Sequence, residues 1–177
     1  MTLNRMTEKT LSLGDRIKSY EASQYTFEKD NYVLDKTLPY IARIDGHTFS
    51  TFTRGFKKPW DPLLSGAMIN TMNDLVNEFR AVTGYTQSDE ISLIFVPIVD
   101  SKTGEYRNLP FNGRVIKLTS LMAGYASARF NYHLQQEYEQ KDLEDYKPSA
   151  QAMDKITNGM AHFDARVFNL PKEEVFN

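Results

Sequence analysis

The chain has 177 residues, 41% of them hydrophobic and 25% charged, with a formal net charge of −2. That length suits one domain with additional arms, and the near-neutral charge confines any nucleic-acid surface to a local patch. The lack of cysteine excludes disulfides, thiolate catalysis and Cys-based zinc sites, and the scattered His47, His133 and His162 argue against a histidine-rich metal site.

Met1 to Thr10 is polar, reads as a disordered start and carries no apolar leader segment. No run of about 18 apolar residues occurs, so a soluble, cytoplasmic protein with no membrane partner is expected. Leu13, Ile17 and Tyr20 fall at helical spacing and predict a short amphipathic helix over 11–22. Residues 1–22 therefore read as an N-terminal arm, and 23–177 as the main domain. Ser23 to Thr37 reads only as an arm or loop. Pro39 to Asp45 predicts a first strand, ended by Gly46. His47-Thr48-Phe49-Ser50 and a basic loop with Arg54, Gly55, Lys57, Lys58 and Pro59 follow. Asp61-Pro62 is a helix start, a capping carboxylate before a proline whose missing N–H is no loss there. Leu64, Ala67, Met68, Met72, Leu75, Val76 and Phe79 then recur every three or four residues, predicting a helix to about Ala81 with Gly84 as its stop.

A short strand enters a Ser88-Asp89 turn, and a second one leaves it, ending near Pro97. Ile91, Leu93 and Phe95 on one alternate set, with Ile94 and Val96 on the other, predict that this strand is central and buried on both faces. Residues 98–113 have the composition of an extended hairpin or loop. A second long helix is predicted from Arg114 to about Glu137, with Leu118, Leu121, Met122, Tyr125, Ala128 and Tyr132 on one face. The stretch 136–150 is charged and broken at Pro148. His162 to Phe168 alternates polar and apolar, a last strand.

Strand, helix, strand, strand, helix, strand is the ferredoxin-like βαββαβ order, an α+β fold. Its right-handed crossover leaves room for the third strand to lie antiparallel beside the first. The end of strand one then meets the start of strand three, so Asp45 is expected beside Asp89 and Glu90. Two converging carboxylates suit Mg²⁺, which takes oxygen ligands and bridges substrate phosphates, and two such ions clamp the attacking and leaving oxygens of phosphoryl transfer. Gly46 permits close backbone approach, and the N–H groups after it suit phosphate oxygens. Lys57, Lys58, Arg114 and Lys117 offer positive charge for a triphosphate or an RNA backbone. Taken singly, each of these residues has an ordinary structural reading: Asp-Gly and Ser-Asp as turns, the lysines as solvated side chains, His133 and His162 as structural or surface groups. Only the joint placement of Asp45, Gly46, Asp89 and Glu90 favours a site.

Five blocks carry a resemblance: Arg43-Ile44-Asp45-Gly46-His47-Thr48-Phe49, Phe56-Lys57-Lys58-Pro59, Gln87-Ser88-Asp89-Glu90, Phe111-Asn112-Gly113-Arg114 through Lys117-Leu118, and Phe163-Asp164-Ala165-Arg166-Val167. With Leu13 to Glu21, they are similar in order to the tRNA-histidine guanylyltransferase family, more closely to its bacterial and phage guanylyltransferase-like branch of 3′-to-5′ polymerases. The resemblance implies a polymerase-type palm over 23–177 with an N-terminal arm and hairpin and helical extensions. It implies addition of a nucleotide, typically G from GTP, to the 5′ end of a tRNA or another 5′-phosphorylated RNA, after activation by ATP or GTP. Asp45, Gly46 (through its carbonyl) and Asp89 would hold two Mg²⁺ ions, and Glu90 would support them. Asp45, Gly46, His47, Thr48, Phe49, Ser50, Lys58, Ser88, Asp89, Arg114 and Lys117 would bind nucleotide or RNA, and a homodimer or homotetramer is implied. Ser50 stands where eukaryotic members carry a histidine. The family's further helical segment with tRNA-binding motifs is expected to be absent after Asn177. A palm-fold nucleotide cyclase and a non-catalytic nucleotide- or partner-binding module are the competing expectations.

Overall fold

A computed structural model describes residues 12–25, 32–140 and 146–175. The expectations for residues 1–10, for part of the 23–37 arm and for part of the charged 136–150 stretch lie outside the described residues. In chain order the elements are α1 (Leu13–Tyr25), β1 (Tyr40–Gly46), α2 (Phe49–Phe52), α3 (Pro62–Phe79), β2 (Thr83–Gln87), β3 (Glu90–Phe95), α4 (Val115–Gln140), α5 (Ala150–Thr157) and β4 (Phe163–Asn169). The four strands make one antiparallel sheet in the order β2-β3-β1-β4. This is the ferredoxin-like palm arrangement, with β1 and β3 central.

Helices α3 and α4 pack against each other and against one face of the sheet. Their starts follow local chemistry. Asp61 caps α3 through its carboxylate, accepting from the Leu63 N–H at 2.9 Å, and Pro62 follows it. The end of α3 differs from the expectation: Arg80, in the left-handed region at φ 56°, caps the helix, and Gly84 belongs to β2. Gly84 is needed there for space, because a Cβ would come within 2.8 Å of Val76 and 2.9 Å of Met72. The strand can therefore lie close against α3.

Two predicted faces are corrected. In β3, Ile91, Leu93 and Phe95 are buried, whereas Ser92 and Ile94 are only half-buried and Val96, beyond the strand, is exposed. Among the described residues, the two longest helices, α3 and α4, cover one side of the sheet. On the other side, α1 places Ile17 and Tyr20 over Ile41, Phe168 and Leu170. In α4 the buried stripe is Val115, Leu118, Met122, Ala126, Phe130 and Leu134. Leu121 and Tyr132, assigned to that face by spacing, are exposed. Both stripes have helical period and share Leu118 and Met122; packing on the sheet buries Phe130 and Leu134 fully instead of Leu121 and Tyr132. Truncating Phe130 to Ala would cost about 3–5 kcal/mol. Helix α5 was not expected, and the loop over 98–113 was.

Candidate active site

The edge of the sheet where β1 ends and β3 and β4 begin is joined by backbone. Asp45 lies opposite Glu90 of β3 and opposite Asp164 of β4. The Gly46 N–H donates to the Asp89 carbonyl at 3.0 Å, and the His47 N–H donates to the His162 carbonyl at 2.9 Å. Two acidic turns far apart in sequence are thereby stitched side by side. Ile44, Ile91 and Ala165 pack into the core, so strand alternation puts Asp45, Glu90 and Asp164 on the opposite, open face.

Four carboxylates in one neighbourhood repel. Burial first, then the charges of Asp89, Asp164 and Glu90, raise the Asp45 carboxyl above its ordinary value, and Arg166 offsets only part of this. Arg43 pairs with Glu90, and Arg166 stands 3.9 Å from Asp164. Among the described residues, Asp45 and Asp89 form no ion pair. Asp89 accepts a hydrogen bond from the Ser88 hydroxyl at 2.9 Å. Nor do any three His, Asp or Glu side chains among the described residues group closely enough to cage a metal. Glu90 and Asp164 act on Asp45 through space while engaged with arginines. What remains, two carboxylates and the Gly46 carbonyl, is an all-oxygen donor set. It fits Mg²⁺, which is held by one or two carboxylates and completes its shell with water and phosphate oxygens.

The backbone after Asp45 is shaped by a missing side chain. A Cβ at Gly46 would overlap the Phe49 ring. That ring is tucked beneath, with centroids 5.2 Å from Phe52, 5.7 Å from Phe130 and 6.0 Å from Phe163. Thr48 at φ 48° and Ser88 at φ 57° both sit in the left-handed region, unusual for residues with a Cβ and costing on the order of 1 kcal/mol each. The two strained positions flank the acidic edge.

Beside that edge a cleft of about 560 Å³ opens between the 49–53 segment, the start of α3 and the β2–β3 turn. Phe49, Leu64 and Met68 make an apolar part, and Lys57, Lys58 and Asp89 supply charge at its walls. Trp60, 75% exposed, stands in the wall. Asp61, buried, holds this region together: its carboxylate also accepts from the Lys57 N–H at 2.8 Å and from the Tyr146 hydroxyl. Burial, and then that hydrogen bond and charge, push the Tyr146 hydroxyl's pKa up.

Of the residues singled out in sequence, Asp45, Gly46, Asp89 and Glu90 converge, and Phe49, Ser50, Lys58, Ser88 and Asp89 line the cleft. Thr48 shapes the turn, and exposed His47 stacks on His162 at 4.8 Å. Arg114 and Lys117 are not brought there. The Leu34 N–H donates to Gly113, Val33 bridges Arg114, and the Asp35 N–H donates to the Asn169 side chain, whose Cα faces Tyr40 at the far end of β1. Seven residues of strand separate the ends, about 20 Å. Sequence reasoning missed Asp164, His162 and Trp60 as members of this region. Asp164 alternates with His162 and Arg166 along β4, but its register against Asp45 is set by pairing that no local pattern shows.

Fold and acidic edge together define a polymerase-type palm. Residues 15–171 match the family described as Thg1, tRNAHis guanylyltransferase, and the chain belongs to this family. It is 40% identical over 175 residues to the uncharacterized protein R259 of Acanthamoeba polyphaga mimivirus, covering 93% of this chain and 54% of that one, so it spans about half of that curated relative. Solved structures of a bacterial tRNA(His) guanylyltransferase (Thg1)-like protein are similar. The complex with ATP superposes with a TM-score of 0.63 at 32% identity, covering 93% of this chain and 60% of that chain. The complex with GTP gives 0.63 at 33% identity, covering 93% and 66%. The Saccharomyces cerevisiae tRNA(His) guanylyltransferase shares the fold, with a TM-score of 0.59 at 22% identity over 82% of this chain and 56% of that one. No described helix is long and apolar enough to cross a membrane.

Proposed function

We propose that this chain is a nucleotidyltransferase that adds a nucleotide, typically G from GTP, to the 5′ end of a tRNA or similar RNA in the 3′-to-5′ direction. The observation that carries the reading is the junction of Asp45 and Asp89 at one sheet edge, beside a cleft walled by Lys57 and Lys58. The solved bacterial Thg1-like complexes with ATP and GTP support it. In this reading Asp45, Gly46 and Asp89 hold magnesium. The bound ions supply charge neutralisation for the triphosphate and for the reacting oxygens. Lys57 and Lys58 bind phosphate oxygens, and the left-handed turns at Thr48 and Ser88 fix the direction in which the neighbouring N–H groups point. Phe49, Leu64 and Met68 exclude water from one side of the nucleotide. The open face carrying Asp164 and Arg166 is left for the RNA end, whose 5′-phosphate takes AMP or GMP from ATP or GTP with release of pyrophosphate, after which the 3′-hydroxyl of the incoming nucleotide attacks that 5′-phosphate and displaces the AMP or GMP. A homodimer or homotetramer completes the proposal.

The test is incubation with radiolabelled GTP, ATP and Mg²⁺, with and without a 5′-monophosphorylated tRNA. Labelled tRNA is the expected product, lost in Asp45→Ala and Asp89→Ala. A cyclic nucleotide formed without RNA would replace this reading with a cyclase. Persistent GTP binding with no product under any condition would leave a binding module. Trp60, the chain's one tryptophan, provides a binding signal: its fluorescence should change when GTP fills the cleft and should not respond to inorganic triphosphate to the same extent.

A further inference from the structure

Helix α5 does not line the cleft, yet Lys155 within it and Ser149, which caps it, are committed to the segment that forms one of the cleft's walls. Lys155 is only 8% exposed. Its Nζ donates to the carbonyls of Phe52 at 2.6 Å, Arg54 at 2.7 Å and Thr51 at 3.1 Å. Three ammonium protons thus meet three carbonyl oxygens at and just beyond the end of α2, where helix carbonyls run out of partners; the Thr51 carbonyl also accepts from the Arg54 N–H at 3.3 Å. Ser149, the cap of α5, accepts from the Ala152 N–H at 3.1 Å and donates its hydroxyl to the Gly55 carbonyl at 2.8 Å. The remaining carbonyl, that of Thr53, accepts from the Phe56 N–H at 3.2 Å. Gly55, at φ 95°, must be glycine for this approach, since a Cβ would come within 2.7 Å of the Ser149 hydroxyl.

A buried ammonium is costly, and a methionine would fill the same volume without that cost. Burial, with the nearby Arg54 charge second, lowers the pKa of Lys155. Among the described residues its only hydrogen-bond acceptors are the carbonyls of Thr51, Phe52 and Arg54. Thr53 of this loop lines the cleft, together with Phe49 and Ser50 of α2, which leads directly into it.

We propose that Lys155 is a positioning residue: from α5 it clamps the backbone of residues 51–55, and so holds the cleft wall in its nucleotide-binding shape. The positioning half rests on the nucleotide reading given above, while the clamp itself does not. Two readouts separate them. In Lys155→Met, brief trypsin treatment well below the unfolding temperature should cut the Arg54–Gly55 bond about tenfold faster than in the parent protein. Cleavage at Arg107, in an exposed loop, and at Arg129, within α4, should keep its parent rates. In the same variant, calorimetric titration with GTP and Mg²⁺ should give roughly tenfold weaker binding, because a small displacement of a positioning loop is amplified at the ligand. Ser149→Ala, which removes only the Gly55 contact and the cap, should shift both readouts in the same direction by less, and it carries the test if Lys155→Met does not fold. Unchanged cleavage at Arg54, or faster cleavage at Arg129 to the same degree, overturns the clamp. Release at Arg54 with parental GTP affinity overturns the positioning role. A parent protein that binds no GTP overturns the nucleotide reading and the positioning role with it, while the trypsin readout still decides the clamp.

Discussion

At one end of the sheet Asp45 lies among Asp89, Glu90 and Asp164, and Asp45 and Asp89 have no cation paired to them among the described residues. At the other end, about 20 Å away, every polar group of Asn169 is used. Its Oδ1 accepts from the Asp35 N–H at 2.8 Å, and its Nδ2 donates to the carbonyls of Asp35 at 3.1 Å and Pro39 at 3.2 Å. Tyr40 stacks flat on Phe95 beside it, with centroids 4.3 Å apart. The same sheet thus ends in a closure where the Asn169 side chain is fully bonded, and in an acidic edge with two strained turns where Asp45 and Asp89 lack a paired cation among the described residues. The contrast teaches where stability is made and where it is given up for ligand binding.

The largest effect that sharpens this contrast is on turnover. Asp45→Ala and Asp89→Ala should each lower the labelled-tRNA rate by about 10³-fold or more, because each removes half of the carboxylate pair. Asp45→Asn should be equally inactive yet melt about 2 °C higher in metal-free buffer, since it removes the burial cost and then the repulsion that raise the Asp45 carboxyl. A lower melting temperature would mean that the edge is not strained by charge. The opposite end should answer in reverse. Asn169→Ala should lose about 2 kcal/mol and about 6 °C, with turnover per folded molecule within about twofold of the parent. Lys58→Ala comes next, with about tenfold weaker GTP binding by titration and a smaller change at high salt.

A linkage away from both ends supplies the pH control. Asp74 of α3 meets Arg129 at 2.5 Å and His133 at 2.6 Å, both on α4. Burial alone would raise the Asp74 carboxyl, but hydrogen bonds from His133 and Arg129 outweigh it and hold the pKa below the ordinary value. A depressed folded-state value stabilises the protein above the unfolded pKa of about 3.9, and that stability is lost as pH falls through the folded value. Asp74→Asn should therefore flatten the acid limb of melting temperature against pH below about pH 4, leaving GTP affinity unaltered. The smallest effect is expected at the far end: Arg114→Ala and Lys117→Ala should change GTP affinity by no more than about twofold. A larger loss would show that residues outside the cleft reach its ligand.

Much of this molecule was legible because short-range rules were consistent with one topology. A run apolar on both alternate sets marked β3, alternation marked β4, and helical period with Asp61-Pro62 marked α3. A right-handed crossover then left few ways to arrange those strands, so Asp45 and the Ser88-Asp89 turn could be expected at one edge. The face of α4 was not legible, because two stripes of equal period compete and only the sheet's shape selects Phe130 and Leu134. Helix α5 was not legible either, being eight residues long and too short for period to register.

The sequence by itself determined the order of the four strands and the two long helices, the two acidic turns and, through the five blocks, the family. Only the tertiary structure decided that Asp164 joins Asp45, that Arg114 and Lys117 stand at the far end, and that Lys155 grips the 51–55 loop. The physical reason is range. Period and capping depend on neighbours within a few residues, whereas strand register and the partners of a buried ammonium are fixed by residues about 100 positions away that only folding brings into hydrogen-bond distance.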